Sequence, residues 1–164
     1  MGEATSDRFG FSVTSADVNN DHYADVIVGA YGYNNDNDNT GRVYVFLGGA
    51  SMNNTADVTM TGEHSNDSFG YSVVSAGDTN NDGYNDVIVG ADRYSHGDFD
   101  GRAYLFYGGT SMNSTVDVTF DAQHPGQSEE FAGYTTPLAA GDLNGDGQIG
   151  PAATTIENFD PDAV

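Results

Sequence analysis

Short apolar stretches of β-branched and aromatic residues recur along the chain, separated by Gly, Asn and Asp. Val26-Ile27-Val28 and Val87-Ile88-Val89 each lead into Gly-Ala and read as buried strands. Arg42-Val43-Tyr44-Val45-Phe46 and Arg102-Ala103-Tyr104-Leu105-Phe106 alternate their aromatic side chains, as a packed strand does. Two further runs complete a set of four: Phe9-Gly10-Phe11-Ser12-Val13 with Phe69-Gly70-Tyr71-Ser72-Val73, and Ala56–Thr61 with Val116–Phe120. No segment sustains a helical period. The pattern predicts an all-β fold of antiparallel, four-stranded units.

These runs are copies of one another. Gly41-Arg42 through Gly48-Gly49 returns as Gly101-Arg102 through Gly108-Gly109, and Ser51-Met52-Asn53 returns as Ser111-Met112-Asn113. The period is about 60 residues, near that of a propeller blade with long loops and too long for most helical solenoids. The expected organisation is a first unit over 1–63, a second over 64–124, and a degenerate third repeat with a C-terminal tail over 125–164.

Between the first two strands of each unit lies an acidic loop. Asp17-Val18-Asn19-Asn20-Asp21-His22-Tyr23-Ala24-Asp25 is matched by Asp78-Thr79-Asn80-Asn81-Asp82-Gly83-Tyr84-Asn85-Asp86, with oxygen-bearing side chains at positions one, three, five and nine. Calcium takes six to eight oxygen ligands, and a loop supplies them when ligands alternate with residues pointing away. Asn20 and Asn81 stand at the fourth position, where Asn tolerates unusual backbone angles. Asp142, Asn144 and Asp146 begin a third such loop, but Gly150 holds its ninth position and Pro151 interrupts the strand that should follow. That loop is expected to bind more weakly.

The charge balance narrows the partners. Asp and Glu number 25 against four Arg and no Lys, for a net charge of −21. Phosphate neutralisation needs clustered cations, so neither nucleic acid nor an anionic membrane surface is an expected partner. Metal binding is the main use read for the acids; Asp36, Asp38, Asp98 and Asp100 read as solvated loop charge. Cysteine is absent, leaving no disulfide or thiolate chemistry, and no run approaches membrane-spanning length. Catalysis finds no address: His22, His64, His96 and His124 sit in polar loops without a matching nucleophile, and no Gly-x-Ser-x-Gly elbow occurs. Tyr31, Tyr33, Tyr94 and Phe99, in the loops after the second strands, are the sequence's best candidates for ligand contact. Arg42 and Arg102 are expected to form a repeated ion pair with loop acids.

The combination of Phe9-Gly10 with Gly29-Ala30, Phe69-Gly70 with Gly90-Ala91, and the intervening Asp-x-Asn-x-Asp-x-Tyr-x-Asp loops resembles FG-GAP repeats, the blades of the integrin α-subunit propeller and of related bacterial surface proteins. The resemblance implies calcium held on one face of a propeller. Carried over by position, Asp17, Asn19, Asp21 and Asp25 would be side-chain ligands with the Tyr23 carbonyl, and Asp78, Asn80, Asp82 and Asp86 likewise with that of Tyr84; Asp142, Asn144 and Asp146 match only the start. His22 replaces the usual Gly and adds strain without removing a ligand. Propellers of this kind close with about seven blades, so two blades imply self-association or membership of a longer array. The function expected is a non-catalytic, calcium-binding module for protein interaction or adhesion, with a protein or glycan ligand, in an extracellular or cell-surface setting. The alternative is a carbohydrate-binding or accessory propeller module of an extracellular enzyme.

Overall fold

A computed structural model describes residues 6–34, 39–95 and 100–121. Two four-stranded antiparallel sheets follow one another along the chain, each in simple meander order. The first blade comprises β1 (Ser12–Ala16), β2 (Asp25–Ala30), β3 (Arg42–Phe46) and β4 (Val58–Thr61); the second comprises β5 (Phe69–Gly77), β6 (Asp86–Ser95), β7 (Asp100–Phe106) and β8 (Val118–Asp121). The described residues contain no helix. The predicted four-strand units are present, and the third, degenerate unit lies outside the described residues.

Register follows the repeat. Val26 pairs with Phe46 and Val28 with Tyr44; Val87 pairs with Phe106 and Val89 with Tyr104 in the same relation. Alternation along β3 then sends its side chains to opposite faces. Val43 and Val45 join a core shared with Phe69, Val73, Val87, Val89, Tyr104 and Phe106 of the second blade. Tyr44 and Phe46 turn the other way, to a smaller cluster with Phe9, Ala30 and Tyr33. The aromatic strand residues are blade packing, as the alternation implies.

The blades meet where the sequence places its paired glycines. The Ser12 hydroxyl donates to the Gly70 carbonyl oxygen at 2.9 Å. A Cβ on Gly29 would lie 2.2 Å from that same oxygen, so the close approach of the two backbones requires the absence of a side chain. Gly70 itself has φ +83°, and a Cβ there would meet the Arg42 carbonyl oxygen at 2.8 Å. The Phe-Gly of one blade and the Gly-Ala of the preceding blade are thus two halves of one contact. Phe69 completes it, 2 % exposed, with its ring edge-on to Tyr104 and Phe106 at 5.2 and 6.2 Å; full burial of such a side chain is worth about 1.5–3 kcal/mol.

Because neighbouring strands are antiparallel, the β1–β2 and β5–β6 connections emerge at one end of the blades. The β2–β3, β4–β5 and β6–β7 connections emerge at the other. The acidic loops occupy the first end, about 20 Å from the second across a six-residue strand.

Candidate metal-binding loops

Each acidic loop is a coil of side chains folded back onto its own backbone. The Asp21 N–H donates to Asp17 Oδ1 at 3.0 Å and Asn19 Oδ1 at 3.1 Å, the His22 N–H to Asp17 Oδ2 at 2.9 Å, and the Tyr23 N–H to Asp21 Oδ1 at 2.9 Å. The second loop repeats this bond for bond. The Asp82 N–H donates to Asp78 Oδ1 at 3.0 Å and Asn80 Oδ1 at 3.1 Å, the Gly83 N–H to Asp78 Oδ2 at 2.8 Å, and the Tyr84 N–H to Asp82 Oδ1 at 3.0 Å. Asn19 Nδ2 also donates to Asp21 Oδ2 at 3.0 Å, and Asn80 Nδ2 to Asp82 Oδ2 at 2.8 Å. So tight a coil needs left-handed residues: Asn20 has φ 57° and Asn81 φ 60°. At the sixth position Gly83 adopts φ 91° freely, whereas His22 is held at φ 71°, the strain expected from its replacing glycine.

Asp25 and Asp86 are placed differently from the other acids. Both are fully buried at the start of β2 and β6. Asp25 Oδ2 accepts the Val18 N–H and Oδ1 the Gly48 N–H, each at 2.7 Å. Asp86 Oδ2 accepts the Thr79 N–H at 2.8 Å and also the Thr79 hydroxyl, while Oδ1 accepts the Gly108 N–H at 2.9 Å. Each carboxylate therefore clamps the beginning of its loop to the turn that follows the third strand. Burial raises the Asp25 pKa against those hydrogen bonds, and the fields of Asp21 and Asp17 raise it further. Asp86 is raised in the same way, by burial first and with Asp82 adding.

The donor chemistry fits a hard cation. Every side-chain donor is oxygen, and a carboxylate oxygen that accepts one N–H keeps a second lone pair. The fields of Asp21 and Asp17 reach Asp25 and act against its ionised form. Among the described residues, no three His, Cys, Asp or Glu side chains close on one point, since here the acids are turned onto backbone N–H groups. Asp17, Asn19, Asp21 and Asp25, and Asp78, Asn80, Asp82 and Asp86, are the residues that would hold the ions. Tyr23 is exposed and Tyr84 half-buried. Asp142, Asn144 and Asp146 lie outside the described residues.

Three features escaped the sequence reading. The second loop is tied to the first: the Asn85 N–H and Nδ2 donate to the Asp17 carbonyl oxygen at 3.3 and 3.1 Å, and the Gly109 N–H to that of Val18 at 2.8 Å. Asn85 stands where the first loop has Ala24, an asymmetry that could have signalled a contact between repeats. Tyr33 and Tyr94, expected as exposed ligand contacts, are 8 % and 5 % exposed. The reason lies with the arginines: Arg42 is 3.6 Å from the Tyr33 ring centroid and Arg102 is 3.9 Å from that of Tyr94. What repeats at Arg42 and Arg102 is therefore a cation over an aromatic face. The expected bond to an acid is present for Arg102, which pairs with Asp121 and with Glu63 at 3.1 Å. At the equivalent place Arg42 Nε donates to the Thr61 hydroxyl at 3.0 Å.

Comparison with known proteins agrees with this geometry. The FG-GAP repeat family matches residues 9–46 and 69–106, from the Phe-Gly pair to the end of the third strand in each blade. Integrin alpha-5 of Xenopus laevis is 37% identical over 95 residues, covering 55% of this chain and 9% of that protein. Integrin alpha-PS2 of Drosophila melanogaster is 35% identical over 116 residues, covering 65% of the chain and 8% of the relative. Phosphatidylinositol-glycan-specific phospholipase D of Bos taurus is 30% identical over 154 residues, covering 86% of the chain and 18% of the enzyme. The chain thus spans less than a fifth of each of these relatives. Its two sheets are FG-GAP β-propeller blades, and residues 9–46 and 69–106 are integrin-like FG-GAP repeats.

Proposed function

We propose that the chain is a calcium-stapled, non-catalytic interaction module, serving protein interaction or adhesion outside the cell. The observation that carries this reading is the bond-for-bond identity of the two acidic loops, at the same end and in the same strand context. Bound calcium would supply positive charge among neighbouring carboxylates and so add folding free energy. The chain's own part is to hold the oxygens in register: Asp25 and Asp86 anchor the loops, and Asn85 couples one loop to the other. Calcium sites of this ligand type stay filled at the millimolar concentrations found outside cells, which supports an extracellular setting.

Self-association completes the fold in this proposal. Phe9, Tyr44 and Phe46 on the first blade reproduce the trio Phe69, Tyr104 and Phe106 that the second blade packs against the first. A second copy can cover that face with the outer surface of its own second blade, where Phe120 is 51% exposed. Light-scattering mass and thermal unfolding, each with calcium and then with excess chelator, test both statements. An oligomer whose melting temperature rises with calcium supports them. A chelator-insensitive melting point removes the metal reading, and a monomer removes self-association.

The phospholipase D match favours a second reading, an accessory blade module of an extracellular enzyme, because it covers more of this chain than either integrin above. Calcium-dependent binding in a glycan screen would distinguish a carbohydrate-directed module from one for protein adhesion.

A further inference from the structure

The internal repeat separates what the fold requires from what it leaves free. Arg42 and Arg102 occupy equivalent positions and make the same stacking contact. The other two arginines break the symmetry. Ser68 stands in the second blade where the first has Arg8, and Gly32 stands in the first where the second has Arg93. The backbone at each pair is nevertheless the same. Arg8 has φ 55° and Ser68 φ 59°, and each carbonyl accepts the N–H three residues on, at 3.1 and 3.0 Å. The Gly32 and Arg93 N–H groups donate to the Asp7 and Asp67 carbonyl oxygens at 3.2 Å in both cases. Neither cationic side chain is needed for the blade to form.

Both nevertheless line one cavity, of about 280 Å³, at the seam between the blades. It lies among the connections at the end opposite the acidic loops. That distance of about 20 Å is more than two Debye lengths at physiological salt, so the acidic loops hardly act on Arg8 and Arg93, whose near acids are the buried Asp7, Asp67 and Asp92. Arg8 and Arg93 are exposed, and neither forms an ion pair among the described residues. Arg93 faces the field of the buried Asp92, and Arg8 lies 5.6 Å from the Tyr31 ring centroid. Asn39, Asn66 and Ser6 also line the cavity. Tyr31 also belongs to an aromatic triangle with Phe11 and Tyr71, centroids 4.6–5.2 Å apart. Phe11, 50 % exposed, presents this surface beside the cavity.

We propose that this cavity binds a single carboxylated sugar residue. Arg8 and Arg93 take the carboxylate, the amides of Asn39 and Asn66 meet hydroxyls, and the Phe11–Tyr31 surface covers the apolar face of the ring. The cavity is just below the size that accepts drug-sized molecules, which suits one ring. A chain of net charge −21 repels a polyanion and tolerates an isolated carboxylate. The proposal rests on the interaction-module reading in its carbohydrate-directed form and names the chemistry of the ligand.

The test is calorimetric titration of the full chain in calcium with glucuronate and N-acetylneuraminate, their methyl esters, and glucose. Arg8→Ser and Arg93→Gly each install the residue that the other repeat carries, and so preserve the backbone. At least one free acid should bind, with its ester and both variants at least tenfold weaker; Arg8→Ser should leave the melting temperature unchanged, and Arg93→Gly should lower it only by the field it withdraws from Asp92. Equal affinity for acid and ester, indifference to both variants, or no binding of either acid would overturn the proposal. So would binding of an acetylated dipeptide with a free C-terminus in place of the sugar acids. The calcium-dependent rise in melting temperature, read on the same samples, keeps the two readings apart: if it persists without sugar binding, only the cavity assignment fails.

Discussion

Ser12-Val13 and Ser72-Val73 hold the same place in the repeat, yet Val13 is 59% exposed and Val73 is 8% exposed. The difference runs through the whole Phe-Gly segment. Gly70 is wedged against the first blade, while nothing lies within 4 Å of a Cβ placed on Gly10. Phe69 lies within β5 and Gly41 bridges to it, whereas Phe9 precedes β1 and is only half-buried. The two blades have nearly the same local sequence and the same strand order, so the sheet itself does not bury this motif. Its burial comes from the blade before it. A single FG-GAP unit is therefore one half of two interfaces, in keeping with repeat folds whose stability resides largely in contacts between neighbours.

The largest test of this contrast is a pair of glycine substitutions. Gly70→Ala should destabilise the chain by about 3 kcal/mol, combining left-handed strain with an overpacked seam. Gly10→Ala should lose only the conformational part, about 1–2 kcal/mol. Urea unfolding of both variants measures the gap; equal losses would mean that the first blade's outer face is covered in solution.

The buried anchors of the two loops should be more nearly equal. Asp25→Asn and Asp86→Asn each turn an amide NH₂ toward a backbone N–H that now donates to the carboxylate, at a loss of about 2 kcal/mol. Thr79 donates its hydroxyl to Asp86 as well, so the second loop should suffer somewhat more. Loss of calcium-dependent stabilisation in one variant alone would show that the loops do not share one role.

Asp92 sharpens the comparison through pH, since the first blade carries Tyr31 in its place. Burial raises the Asp92 pKa against the Arg93 field and the Ser68 hydrogen bond. A carboxyl with a raised folded pKa binds its proton more tightly when folded. Its favourable contribution is therefore complete below the ordinary carboxylate range and is lost as pH rises through the folded value. In chelator, stability should increase as pH falls from neutral toward the ordinary carboxylate range, with Asp25 and Asp86 acting in the same direction. Asp92→Asn should add about 1 kcal/mol at pH 7 and flatten part of that slope; a variant less stable than the parent at pH 7 would contradict this account.

The smallest effect is expected at His22. His22→Gly gives the first loop the residue of the second and removes left-handed strain, for a gain of about 0.5–1 kcal/mol. No gain would place the strain elsewhere in the loop.

Local patterning made much of this structure legible. The Val-Ile-Val and Tyr-x-Phe runs predicted strands that are present in the expected order, and the position of Asn20 and Asn81 foretold their left-handed backbone. Residues whose role depends on a neighbour were read less well. Tyr33 and Tyr94 looked like exposed loop aromatics because nothing in their own segments shows that Arg42 and Arg102 lie across them. The bond from Asn85 to the first loop spans 68 positions, beyond the reach of any local pattern. The arginine-lined cavity needed both blades in place before Arg8 and Arg93 could be seen to share a wall.

By itself, the sequence determined the repeat, the strand content and the alternation of oxygen donors, because each depends on side-chain spacing within a few residues. Tertiary structure alone decided which copy of a repeated motif is buried, which acids turn inward as anchors, and which cations meet at the seam. Those outcomes depend on what lies opposite a residue, and two identical segments can face different surroundings.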